Sequence, residues 1–177
     1  MRVLPLAKVI VWLRMAHESR LDRELRDLLQ AQRVAALGTL NENGRPMVSM
    51  APYALEPAQA CMVIHVSGLA AHTRNLQTNP DVSLLVMRPE AQGEPVHALP
   101  RVTLEGRAQV LVPQSGAWDT GRAAYLARFP EAEPMTELGD FRFVAIRITG
   151  ARQVAGFGAA RSVDAQVLAQ VMRSAIT

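Results

Sequence analysis

The 177-residue sequence predicts a small closed antiparallel β-barrel with flanking helices, an α+β arrangement in a single domain. Short runs rich in Val, Ile, Leu, Ala and Thr recur along the chain, separated by turn residues. The helical stretches are isolated, without the strand–helix alternation of a parallel sheet. No internal repeat or low-complexity linker divides the chain.

In order, residues 18–32 read as a helix, with Leu21, Leu25, Leu28 and Leu29 at i, i+4, i+7 and i+8 and Ser19 placed to cap it. "VAALGTL" (34–40) and "RPMVSMAPYAL" (45–55) form a hairpin about the turn "NENG", where Gly44 is free to take positive φ. "ACMVIHV" (60–66) is a third strand, followed by a helix over about 69–78 that stops at Asn79–Pro80. "DVSLLVM" (81–87) is the fourth strand, and residues 88–100 are a loop. "RVTLEGRAQVLV" alternates, with Val102, Leu104, Gly106, Ala108 and Val110 on one face. A helix over 116–128 follows. The segment "DFRFVAIRITGARQVAGFG" reads as two strands around a turn near Gly150, and a last helix starts at Ser162.

Bulk properties narrow the function classes. The net charge is only +3, and 18 of the 19 basic residues are Arg, spread without runs or aromatic interleaving, so the chain does not read as a nucleic-acid binder. A single cysteine, Cys61, excludes an internal disulfide and a Cys-rich zinc site, and its apolar setting predicts a buried, inert thiol. The first fourteen residues, "MRVLPLAKVIVWLR", are interrupted by Lys8 and are too short to span a bilayer. They read as an N-terminal arm packing on the body or on a partner, with residues 15–177 as the domain. The expected location is cytoplasmic, with no membrane association.

The most polar local cluster is "SGLAAHTRN" (67–75). A helix start attracts anions through its free N–H groups and dipole. Ser67 adds a hydroxyl, Gly68 permits close approach, and His72 and Asn75 share a helix face. On these residues alone the cluster is either an anion site or the solvated outside of a helix. Ser49 in mid-strand reads equally as a hydroxyl satisfied by backbone, and Arg101 as half of a surface ion pair. His65 alternates with Ile64 and Val66 and is placed on the face away from the barrel core. No Walker loop, GxGxxG, GxSxG, paired carboxylates or HxxxH spacing is present.

Four pieces in their order, "VAALGTLNENGRPMVSMAPYAL", "SGLAAHTRNLQTNPDVSLLV", "RVTLEGRAQV" and "DFRFVAIRITGARQVAGFGAA", resemble the flavin-binding split-barrel superfamily that includes pyridoxamine 5′-phosphate oxidase. The last piece is similar to the branch of haem-utilisation proteins. The resemblance covers roughly residues 33–160. It implies an antiparallel split barrel, a homodimer, and flavin mononucleotide (FMN) in a groove between subunits. Carried across, Ser49, Met50, Ala51 and Pro52 would line the flavin ring. His65, Val66, Ser67, His72, Thr73 and Asn75 would complete the cofactor site. Aligning on "LQTNP" puts His72 in the place of the oxidase's phosphate-binding lysine and Ala71 in that of its arginine. Arg101 falls in the place of its flavin-contacting glutamine.

The resemblance thus implies a flavin-dependent oxidoreductase acting on a small-molecule redox substrate, with catalytic residues unassigned and no metal site. The C-terminus, "RSVDAQVLAQVMRSAIT", lacks the oxidase's tryptophan- and arginine-bearing substrate segment, so vitamin B6 oxidation is not expected. The alternatives are a haem-binding or haem-degrading protein on the same barrel, and a flavin carrier without catalysis. Some relatives hold haem iron through a C-terminal histidine. None follows His97 here, so haem ligation would fall to His65, His72 or His97.

Overall fold

A computed structural model describes residues 18–174. The proposed 1–14 arm lies outside the described residues. Helix α1 (Arg20–Ala31) opens the fold, and the Ser19 hydroxyl caps it by accepting from Asp22 N. Strands β1 (Val34–Leu40), β2 (Pro46–Glu56) and β3 (Cys61–Ser67) lead into α2 (Ala71–Thr78). Then follow β4 (Asp81–Met87), β5 (Arg101–Val110), α3 (Gly116–Arg128), a short α4 (Glu133–Thr136), β6 (Phe141–Val154), β7 (Ala160–Asp164) and α5 (Ala165–Arg173).

The strands are ordered β3-β2-β1-β4-β5-β6, and β3 also pairs with β6, which closes a six-stranded antiparallel barrel. β7 extends the sheet beyond β6. Closure removes the free edges of the barrel proper. Inward residues of the barrel pack with Leu25, Leu28 and Leu29 of α1 and with Leu168, Val171 and Met172 of α5. A second core lies outside the wall, where Tyr125 and Phe129, on and just after α3, cover Val63 and Phe143.

Two expectations are corrected at the C-terminal end. Gly150 does not turn the chain. β6 runs through it, paired with β5 from Arg101↔Val154 to Val110↔Val144. The local irregularity is a bulge, since Glu105 opposes Gly150 while Gly106 opposes Ile148. Thr149, the extra residue, donates its hydroxyl to the Glu105 carbonyl at 3.1 Å. The last helix begins at Ala165 rather than at Ser162, because 160–164 pair with β6 and Asp164 supplies the cap by accepting from Val167 N.

Gly106 is required by this crossing. A Cβ there would stand 2.8 Å from the Arg147 carbonyl and 2.9 Å from Ile146 Cγ2. Gly106→Ala is expected to destabilise the fold by about 1–3 kcal/mol, the usual range for overpacking, read as a lowered denaturation midpoint.

Candidate functional site

β3 is buried on both faces, and the alternation decides what each side chain meets. Val66, with Met62 and Ile64, faces the barrel interior, whereas His65 joins the outer core. Its ring stacks on Phe143 at 4.4 Å between centroids and lies 4.9 Å from Phe141 and 5.7 Å from Tyr125. Burial pushes the His65 pKa down to about 4, against a smaller opposing pull from Asp140. At 8 % exposure the imidazole packs as one more aromatic and is not brought to an open surface.

This burial has a measurable consequence. In the unfolded chain His65 titrates near 6.5, so between there and pH 4 the unfolded state binds more protons than the folded one. Stability therefore falls as pH drops through that window, by about 3 kcal/mol at pH 4. Subtracting the pH–stability curve of His65→Phe from that of the parent chain isolates the contribution. An identical slope in both proteins contradicts the placement.

The turn from β3 into α2 is latched to the start of β6. Ser67 Oγ donates to Asp140 Oδ2 at 2.9 Å and accepts from Leu69 N at 3.1 Å. Gly68 N donates to the Asp140 carbonyl at 2.6 Å, and a Cβ on Gly68 would sit 2.9 Å from that oxygen. Thr73 Oγ1 donates to the Ser67 carbonyl at 2.6 Å. Asn75 Nδ2 donates to Thr39 Oγ1 at 2.9 Å and lies 3.7 Å from Met47 Sδ. Thr73 and Asn75 are buried, so both side chains of the expected anion cluster already hold the helix to the barrel. Leu69, in the same turn, is exposed.

His72 is different. It is half-buried, and burial lowers its pKa from the ordinary histidine value. A neutral imidazole, with a nitrogen lone pair available to a metal, is thus its dominant form at neutral pH. His97 lies exposed on a short 3₁₀ turn, where its carbonyl accepts from Arg101.

β2 distributes the four expected ring-lining residues over two faces. Ala51 is buried in the barrel and Ser49 is half-buried, with an enclosed hydroxyl that has no partner among the described residues. Met50 and Pro52 point outward, beside exposed Val48. The register places Met50 opposite Ala36, and Ala36 opposite Leu85, so the outer face of β2, β1 and β4 is a continuous apolar surface. On it Val48 is 72 % and Met50 61 % exposed, with Val34 and Met87 close to half. Contiguous exposed apolar side chains of this kind are typical of sites of association. A depression of about 470 Å³ opens at its edge, among Gly38, Leu40, Val48, Ser83, Glu105 and Thr149.

Arg101 starts β5 opposite Met87 and donates to the carbonyls of Leu99 and His97. Only β6 lies between β3 and β5 on the short way round the barrel, but Ser67 pairs with Phe141 at one end of that strand and Arg101 with Val154 at the other, so one chain does not bring Arg101 together with Ser67 and His72. Sequence reasoning missed Asp140, which lies 73 positions from Ser67 with no local pattern linking them, and the apolar sheet face. The exposed alternation Val48–Met50 was the available signal for that face.

Cys61 is buried, with its thiol pushed up to about 11 chiefly by burial. Among the described residues, no three His, Cys, Asp or Glu side chains converge on a metal position, and no helix is long and apolar enough to cross a membrane.

Comparison with known proteins adds an independent line. Residues 21–155 match the pyridoxamine 5′-phosphate oxidase family. The chain is 30 % identical over 148 residues to the heme oxygenase HutZ of Vibrio cholerae, covering 83 % of each protein. It is 33 % identical over 152 residues to the chloroplastic non-canonical heme oxygenase HOZ of Arabidopsis thaliana, covering 82 % of this chain and 45 % of that one. A heme-binding protein from Mycobacterium smegmatis superposes with a TM-score of 0.77 at 30 % identity, over 88 % of this chain and 62 % of that one. The chain thus spans less than half of the Arabidopsis protein's length and less than two thirds of the mycobacterial one's.

Proposed function

Because the chain belongs to the pyridoxamine 5′-phosphate oxidase family, and three of its relatives at 30 % identity or above are named for haem, we propose that it binds haem and takes part in haem breakdown. The observation that carries this reading is the 30 % identity to a heme oxygenase over 83 % of both chains. The earlier expectation of a flavin-dependent oxidoreductase finds support at the level of the family alone.

The residues present fit a haem. An apolar macrocycle needs an apolar surface, and Val34, Val48, Met50 and Met87 provide one. The iron needs a neutral imidazole, and of the described histidines His72 combines neutrality with partial exposure. When bound, haem would supply the iron chemistry that activates dioxygen, tuned by the residue that holds the iron and by the polarity around it. The protein's share is to hold that ligand in place. Ser67, Asp140 and Thr73 lock the strand–helix turn, and Asn75 anchors the helix one turn after His72.

The assembly in this reading is a homodimer. Two copies meeting through the exposed sheet face bury its apolar side chains and enclose the ligand between them. Arg101 then reaches the bound molecule's carboxylates from the second copy, although it is remote from His72 within one chain. Arginine suits that task through its planar fork.

FMN is the second reading, favoured by the family match and by the Ser67-to-His72 helix start. Parallel titrations of the purified chain with haem and with FMN separate the two. The expected result is a saturable Soret shift with haem at micromolar concentration and weak or no binding of FMN. Tight FMN binding without a haem response reverses the assignment.

A further inference from the structure

We propose a second ligand site, in the cleft between α5 and the adjoining end of the barrel, that accepts an anionic amphiphile: an apolar body ending in a carboxylate or phosphate. The cleft has a volume of about 630 Å³, within the range of small-molecule sites. Ala145, Ala165 and Ala169 give it an accessible apolar wall over the buried Ala108, Ile148, Leu168 and Met172, and Arg107, Arg147 and Arg173 stand around it with no Asp or Glu in the lining.

The charge arrangement is the argument for an anion. Arg107 and Arg147 are directly opposed on β5 and β6. Like charges in that position repel and are normally avoided, but an oxyanion held between two guanidinium forks turns the repulsion into attraction. Arg107 has one ion pair, with Asp81 at 3.4 Å, and both side chains are about 70 % exposed, so that contact contributes little. The side chains of Arg147 and Arg173 have no hydrogen bond or ion pair among the described residues. The first seventeen residues carry Arg2, Lys8 and Arg14 and no acid, so the chain's own arm does not match the cleft in charge. None of the residues around the cleft belongs to the Ser67–His72 turn, and Thr149 alone also borders the depression beside the apolar sheet face.

Calorimetric titration with decyl phosphate, decanoate and decanol tests the site. Saturable binding of one or both charged compounds, with decanol inert, is expected, and the preferred head group distinguishes a phosphate ligand from a carboxylate. In the double variant Arg107→Ala/Arg147→Ala the affinity should fall at least about tenfold, with the unfolding midpoint and the haem titration unchanged. Arg107→Lys/Arg147→Lys keeps the charge but not the fork and should fall between. Absence of binding by both charged compounds, comparable binding of decanol, or an unaltered affinity in the alanine double variant overturns the proposal.

Discussion

His72→Ala is expected to abolish the ligand-field signature of histidine-bound haem and to weaken haem binding by a hundredfold or more. Losing a mere supporting partner of a metal ligand costs roughly 10–100-fold, and removal of the ligand itself should exceed that. Truncation leaves the scaffold intact, because the helix is held by Thr73 and Asn75 rather than by His72. The matched control is His97→Ala, which removes an exposed imidazole and should leave the spectrum unchanged. His65→Phe is a second control, since its ring lies in the aromatic core beneath α3. If His97→Ala loses the signature and His72→Ala keeps it, the ligand assignment moves to the 88–100 loop.

Val48→Glu/Met50→Glu is expected to convert a dimer to a monomer and to eliminate haem binding. Both side chains stand largely in water in one chain, so the exchange costs the isolated fold little. In a face-to-face dimer the same change buries carboxylates without partners, at several kcal/mol per ion. The mass in solution should halve while the circular dichroism and unfolding midpoint remain close to those of the parent. A double variant that stays dimeric and binds haem rules out the β1–β2–β4 face as the interface.

The barrel was largely legible because its elements are local. Residues 81–87 and 116–128 form the expected strand and helix with the expected bounds, since both carry their period and their end signals. Gly150 misled because a glycine beside Thr149 suggests a turn, and only the long-range ladder with β5 shows a bulge. The site was less legible for a related reason. Alternation placed His65 off the barrel interior correctly, but a second core beneath α3 exists only through residues some sixty positions later, such as Tyr125 and Phe129. The polar cluster at 67–75 similarly concealed a division of labour. Thr73 and Asn75 bond inward to Ser67 and Thr39, leaving His72 and the exposed Gln77 as the polar side chains of their helix without a partner among the described residues. Helix periodicity cannot reveal that Thr39, on another strand, is the partner awaiting Asn75.

The pH dependence of haem affinity tests the central claim most directly, because the two candidate ligands need opposite forms of the same side chain. Iron needs His72 neutral, and its folded pKa is already lowered by burial. A flavin phosphate needs it protonated, and would raise that pKa. Haem titrations followed by the Soret band from about pH 5 to about pH 8 should show affinity rising with pH to a plateau. His72→Ala should flatten the curve. Affinity that falls with rising pH, or a profile identical in the parent and the variant, would contradict a neutral His72 as the iron ligand.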